Sequence, residues 1–186
     1  MTNIDLTTPE LIEYNEAVEF NAKRKNNFMF NNKGSDMALI VFRSIFRNAT
    51  KNIKIVAKNL DNEVTNHIEY ITALESFLGQ SNCKLEILVS EHTQQNDEEK
   101  LFKMLTKYKG KVFIKTISNG RTFKDDKGRI IHFCIADGHM YRLEYDIENR
   151  MAECNFNDVK EYALLDGLFS SVFNNSLYSQ DIVTYD

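Results

Sequence analysis

Apolar positions along this chain alternate between helical and strand spacing. The segment "TPELIEYNEAVEFNAKRK" opens with Thr8 as a helix N-cap and Pro9 in the first turn, closes on Lys23, Arg24 and Lys25, and carries Leu11, Tyr14 and Val18 as one apolar stripe. After a polar loop, Ser35 is the expected cap of a second helix whose inner face is Met37, Ile40, Val41, Ser44 and Ile45. The β-branched run "NIKIVAKNL" then predicts a strand, and Ile68, Ile71, Leu74 and Leu78 return to helical spacing before Gly79. "CKLEILVSE" is a second strand. "DEEKLFKMLTKYKG" is a helix with acids at its start and Leu101, Met104, Leu105 and Tyr108 inward, and "KVFIKTI" is a third strand.

Strands separated by helices of this length imply crossover connections and a parallel arrangement. The next elements differ. "IIHFCIA" and "HMYRLEYD" are joined by Asp137-Gly138, the dipeptide favoured in a type I′ hairpin, where both central residues have positive φ. A two-residue turn would set His139 opposite Ala136. The final segment pairs Asp158 with Glu161 in capping-box spacing and places Val159, Tyr162, Ala163, Leu168 and Val172 at helical intervals. The predicted fold is α/β: a mixed, mostly parallel sheet flanked by helices, with a C-terminal β-hairpin and a long closing helix. Residues 1–30 form a helical extension and 31–186 the α/β domain.

Composition narrows the functional classes. The 186 residues are 42% apolar and 27% charged, ordinary for one globular domain. The apolar run at 37–41 is far below the roughly 18 residues of a membrane helix. The N-terminal residues lack the basic and apolar regions of a signal peptide, so the expectation is a cytoplasmic protein without a membrane segment. Cys83, Cys134 and Cys154 have no metal-site spacing and lie in or beside apolar runs, as reduced core thiols do. A formal charge of −4 does not favour general attraction to nucleic acid.

The order of elements, together with "FNNKGSDMALIVFRSIFRNATKNIKIVAKNL" and "RIIHFCIADGHMYRLE", resembles one half of the phospholipase D superfamily from about residue 30 onward. The signature of that family is His-x-Lys, four residues, then Asp, followed by a Gly/Ser-x-Asn segment. Its histidine attacks phosphorus, while the lysine and asparagine hold phosphate oxygens. Matching the aspartate to Asp137 puts His132 at the lysine position and Ile130 at the nucleophile position. "RMAECNFND" is similar to the asparagine segment, with Asn157 or Asn155 as the match. The resemblance also implies a homodimer, since the family joins two such halves about a twofold axis.

Ile130 has no lone pair with which to form a phosphohistidine-like intermediate. A shift of the attacking role to His132 requires a slip of about 6.6 Å along a strand. The candidate catalytic residues are therefore His132, Asp137 and Asn157, and the candidate ligand-binding residues are Arg142, Glu144 and Asn155. Four of them have a plain structural alternative: Asp137 as a turn residue, His132 as a satisfied sheet histidine, Arg142 and Glu144 as an ion pair. No metal is expected, because His132 and His139 would stand about 13 Å apart, and no cofactor is implied. Three functions follow: a non-catalytic module binding a protein partner or a small phosphorylated ligand, an atypical phosphodiesterase or nuclease, and a nucleic-acid-binding accessory protein. The hairpin face carrying His132, Cys134, Tyr141, Leu143 and Tyr145 is the expected surface near the dimer axis.

Overall fold

The computed structural model describes residues 6–92, 100–118 and 120–182. Helix α1 (Pro9–Arg24) is capped by Thr8, whose hydroxyl accepts from the Leu11 N–H. It packs on α2 (Gly34–Asn48) through Leu11, Val18 and Ala22, all part of the main core. The cap of α2 is Lys33 and not Ser35, because Gly34 takes the left-handed φ of 80° that turns the chain into the helix. Ser35, freed from capping, donates instead to Glu63 at 2.5 Å.

Three parallel strands form the centre: β2 (Asn52–Ala57), β3 (Lys84–Val89) and β4 (Val112–Ile117), with α3 (Ile68–Leu78) and α4 (Lys100–Leu105) in the crossovers. Residues 97–99, the expected acidic start of the last of these helices, lie outside the described residues. Flanking strands join antiparallel. The hairpin β5 (His132–Ala136) and β6 (Met140–Asp146) adds beside β2, then come β7 (Met151–Asn155) and the edge strand β1 (Phe30–Asn32), while β8 (Ser179–Asp181) closes the other edge. The order is β1-β7-β6-β5-β2-β3-β4-β8, a mixed sheet in a single α/β domain.

Period-2 alternation sends side chains to two layers. Ile53, Ile55, Leu85, Ile87, Ile114, Cys134 and Cys154 meet helices α1 to α4. Val56, Leu88, Phe133, Ile135 and Tyr141 meet α5 (Val159–Phe173), which contributes Leu165, Phe169 and Phe173. Asp158 caps α5 as expected, accepting from the N–H groups of Lys160 and Glu161. Its buried face matches the expected one only in part: Tyr162 and Val172 pack against this layer, but Val159 and Leu168 are exposed by 63% and 42%, and Ala163 is also exposed. The line Leu165–Phe169–Phe173 faces the sheet because Lys54 rises from β2 to Asp166 at 2.5 Å and Lys115 from β4 to the Phe173 carbonyl at 2.9 Å. All three cysteines are free and buried.

The hairpin departs from expectation by one residue. Asp137 and Gly138 have φ of 53° and 84°, as a type I′ turn demands, and the His139 N–H closes the turn on the Ala136 carbonyl at 3.2 Å. Strand pairing begins one position later, with Ala136 opposite Met140, not His139. A one-residue change of register moves every side chain of a strand to the other face. The supposed face of His132, Cys134, Tyr141, Leu143 and Tyr145 is therefore split: Tyr141, Leu143 and Tyr145 pack in the α5 layer, and His132 shares the α2 side with Cys134, Arg142 and Glu144.

Candidate functional site

That register assembles a polar row inside an otherwise apolar layer. Glu144 stands directly opposite His132, and Arg142 lies between Cys134 and Cys154 on the two neighbouring strands. Arg142 is 2% exposed. Its Nη2 donates to Glu144 Oε1 at 2.9 Å, its Nε to Asn32 Oδ1 at 3.0 Å, and its guanidinium covers the Phe42 ring at 4.8 Å from the centroid. A buried guanidinium needs all of these to offset its lost hydration. Burial pushes the flanking Cys134 and Cys154 thiols up to about 12, so both stay neutral and Glu144 is the counter-ion. Burial acts to raise the pKa of the Glu144 carboxyl, but the hydrogen bond from His132 and the Arg142 charge outweigh it and hold the group below its ordinary value. Its second oxygen faces His132 Nδ1 at 3.4 Å.

These three residues form part of the wall of a cavity of about 250 Å³ at the C-terminal end of β2. The loop from β2 to α3 forms another part of the wall. Its sequence "KNLDNEVTNH" folds on Asx-type bonds: Asn62 Oδ1 accepts from the N–H groups of Val64 and Thr65, and the Thr65 hydroxyl donates to the Leu60 carbonyl at 2.9 Å. Lys58, Asn59 and Asp61 reach the cavity from this loop, and Arg150 from the β6–β7 turn. Arg150 is held by Glu63 at 3.5 Å and Lys58 by Glu91 at 3.4 Å. Apolar wall comes from Phe42, Tyr70 and Phe133. Crevices beyond the carboxyl ends of parallel strands are the usual ligand position in open α/β sheets.

The other candidates lie elsewhere. Asp137 occupies the far end of β5, about 16 Å from His132 at ~3.3 Å per residue. Its carboxylate accepts from the Thr50 N–H and hydroxyl, the Lys51 N–H and the Asn52 N–H, at 2.7 to 2.9 Å, tying the hairpin to the start of β2. Desolvation raises its pKa, yet those donors bring it below the ordinary value. Asn155 pairs with Tyr141 on the same end of the sheet, donates to Asn27 at 2.9 Å and accepts from the Asn157 N–H at 2.9 Å. His132, Arg142 and Glu144 converge; Asp137, Asn155 and Asn157 do not join them. Ile130, just outside β5, is 45% exposed. Among the described residues no group of His, Cys, Asp and Glu has metal-binding geometry.

Sequence reasoning missed Asn32, Phe42, Lys58, Asp61 and Arg150. Only the Asn- and Thr-rich loop at 59–66 carried a turn signal; Asn32 and Phe42 meet Arg142 from more than ninety residues away, a contact no local pattern encodes.

No family model matches the chain, and no curated protein matches it in sequence. Solved structures share the fold. TrmBL2, an archaeal chromatin protein whose structure shows a novel mode of DNA binding, superposes with a TM-score of 0.57 at 13% identity, over 93% of this chain and 62% of its own length. Nuc, a phospholipase D family member from Salmonella typhimurium, gives a TM-score of 0.57 at 12% identity over 84% of this chain and 100% of Nuc. Phosphatidylserine synthase of Haemophilus influenzae Rd KW20 gives 0.51 at 12% identity over 84% of this chain and 40% of that enzyme. The chain thus spans less than two thirds of the first and third of these. At such identities the likeness is one of fold: the chain has an α/β fold like that of these structures, Nuc of the phospholipase D family among them.

Proposed function

We propose that the domain is a non-catalytic, phospholipase D-like binding module, and that it takes a small polar ligand in the cavity at the end of β2. One observation carries this reading: the hairpin register brings His132, Arg142 and Glu144 together at a 250 Å³ cavity, with Arg142 fixed by Asn32 and Phe42. Prearranged polar groups in an apolar-walled crevice are what small-ligand sites have in common. A phosphorylated compound, as the family resemblance implies, is one ligand to test. Catalysis by the family route is not supported, because Ile130 at the nucleophile position offers no electron pair. DNA binding is supported by the TrmBL2 likeness alone, and the formal charge of −4 opposes it. The dimer that the resemblance implies would use an exposed apolar face, and Leu164 and Leu168 of α5, exposed by 60% and 42%, offer one.

Thermal unfolding in the presence of inorganic phosphate, glycerol phosphate and a set of free amino acids tests the reading. At least one of them raises the melting temperature of the wild type and not of His132→Ala. Equal stabilisation of both proteins, or of neither, would overturn it.

A further inference from the structure

Every cation lining the cavity already carries an acid: Arg142 is paired with Glu144, Arg150 with Glu63, and Lys58 with Glu91. Of the acids, Glu144 and Asp61 are in the lining itself, while Glu63 and Glu91 hold Arg150 and Lys58 from outside it. A phosphate dianion entering there would meet no Lys or Arg whose charge is not already balanced by a carboxylate. The cavity is poorly matched to that ligand class, whatever the fold resembles.

Two groups remain open, and they have opposite sign. Arg142 donates from Nε to Asn32 and from Nη2 to Glu144, and no described residue accepts from Nη1, although the side chain is 98% buried and borders the cavity. The exposed Asp61 carboxylate, on the β2–α3 loop in the same lining, has no cationic partner among the described residues. A buried guanidinium N–H is best satisfied by a carboxylate oxygen, and an unpaired carboxylate by an ammonium. Apolar surface in the same lining comes from Phe42, Leu60, Val64 and Phe133. Resting on the cavity reading above, we infer that the ligand is a small zwitterion of the α-amino-acid class with an apolar side chain. Its carboxylate meets Arg142, its ammonium meets Asp61, and its side chain lies on the aromatic and aliphatic wall. At about 250 Å³ the cavity is smaller than drug-sized sites, which begin near 300 Å³, and suits a molecule of this size.

The test is calorimetric titration of the whole chain with four probes: L-leucine, 4-methylpentanoate, which lacks the ammonium, 3-methylbutylamine, which lacks the carboxylate, and inorganic phosphate. L-Leucine binds, and deletion of either charge weakens binding by about tenfold or more, the equivalent of one lost charge-assisted contact. Asp61→Asn, a substitution at an exposed side chain, weakens L-leucine by a similar factor and leaves 4-methylpentanoate unchanged. Phosphate binding that His132→Ala abolishes, with no response to L-leucine, overturns the zwitterion and leaves the cavity reading standing. L-Leucine bound no better than 4-methylpentanoate also overturns it. Silence from all four probes overturns the zwitterion, and the cavity reading is then decided by the thermal-unfolding series above.

Discussion

Replacing Glu144 by alanine leaves a guanidinium that is 2% exposed without its counter-charge. Arg142 keeps the Asn32 hydrogen bond and the Phe42 face but loses the 2.9 Å contact to the carboxylate, and His132 loses its partner as well. Breaking a buried pair from one side costs ~3–5 kcal/mol. The surviving contacts put this case at the lower end, about 3 kcal/mol, and at ~2–4 °C per kcal/mol for a domain of this size the melting temperature falls by about 6–12 °C. Arg142→Met combined with Glu144→Leu recovers most of the loss, because no charge is then left buried. Urea and thermal unfolding followed by circular dichroism measure both variants. The Glu144 pKa is depressed in the folded protein, so its stabilisation is whole above the ordinary value of 4.5 and is lost as pH falls through the lower folded value. The gap between wild type and Glu144→Ala therefore closes in acid. A loss below about 1 kcal/mol at neutral pH, or a double variant as unstable as the single, would refute the claim that this pair balances a buried charge.

Other consequences are measurable. Bis-p-nitrophenyl phosphate, phosphatidylcholine and single- or double-stranded DNA are not hydrolysed above the His132→Ala background, because Ile130 cannot act as nucleophile; turnover that this substitution abolishes contradicts the expectation. Asp137→Ala removes four hydrogen bonds between the hairpin and the start of β2 and lowers stability by about 2 kcal/mol in urea unfolding, without changing ligand affinity. Light scattering at micromolar concentration gives twice the chain mass of 21.7 kDa if two copies associate; a single-chain mass at every concentration removes the dimer.

Much of the fold was legible because its information is local. Thr8 and Asp158 are hydrogen-bonding caps wherever they stand before a helical stripe, and "NIKIVA", "KLEILV" and "VFIKTI" carry enough β-branched residues to mark the central strands. The short edge strands β1 and β8 were not legible, since three mostly polar residues such as "FNN" or "SQD" become a strand only through a partner. Ser35 failed as a cap because Gly34 alone could take the left-handed turn. The site turned on one residue of register. A two-residue Asp-Gly turn and the observed pairing share the same sequence and the same positive φ values, yet only the second places Arg142 and Glu144 on the face of His132.

The central claim is that the cavity beside β2 is a binding site, and backbone amide shifts in nuclear magnetic resonance test it most directly. On addition of L-leucine, the account predicts movement confined to residues 58–65, 132–133 and 142–150, with saturation. Residues 50–52, 137–139 and 155–157 at the other end of the sheet stay still. Saturable shifts centred on that second group, or spread over the exposed face of α5 with the cavity unmoved, would contradict it.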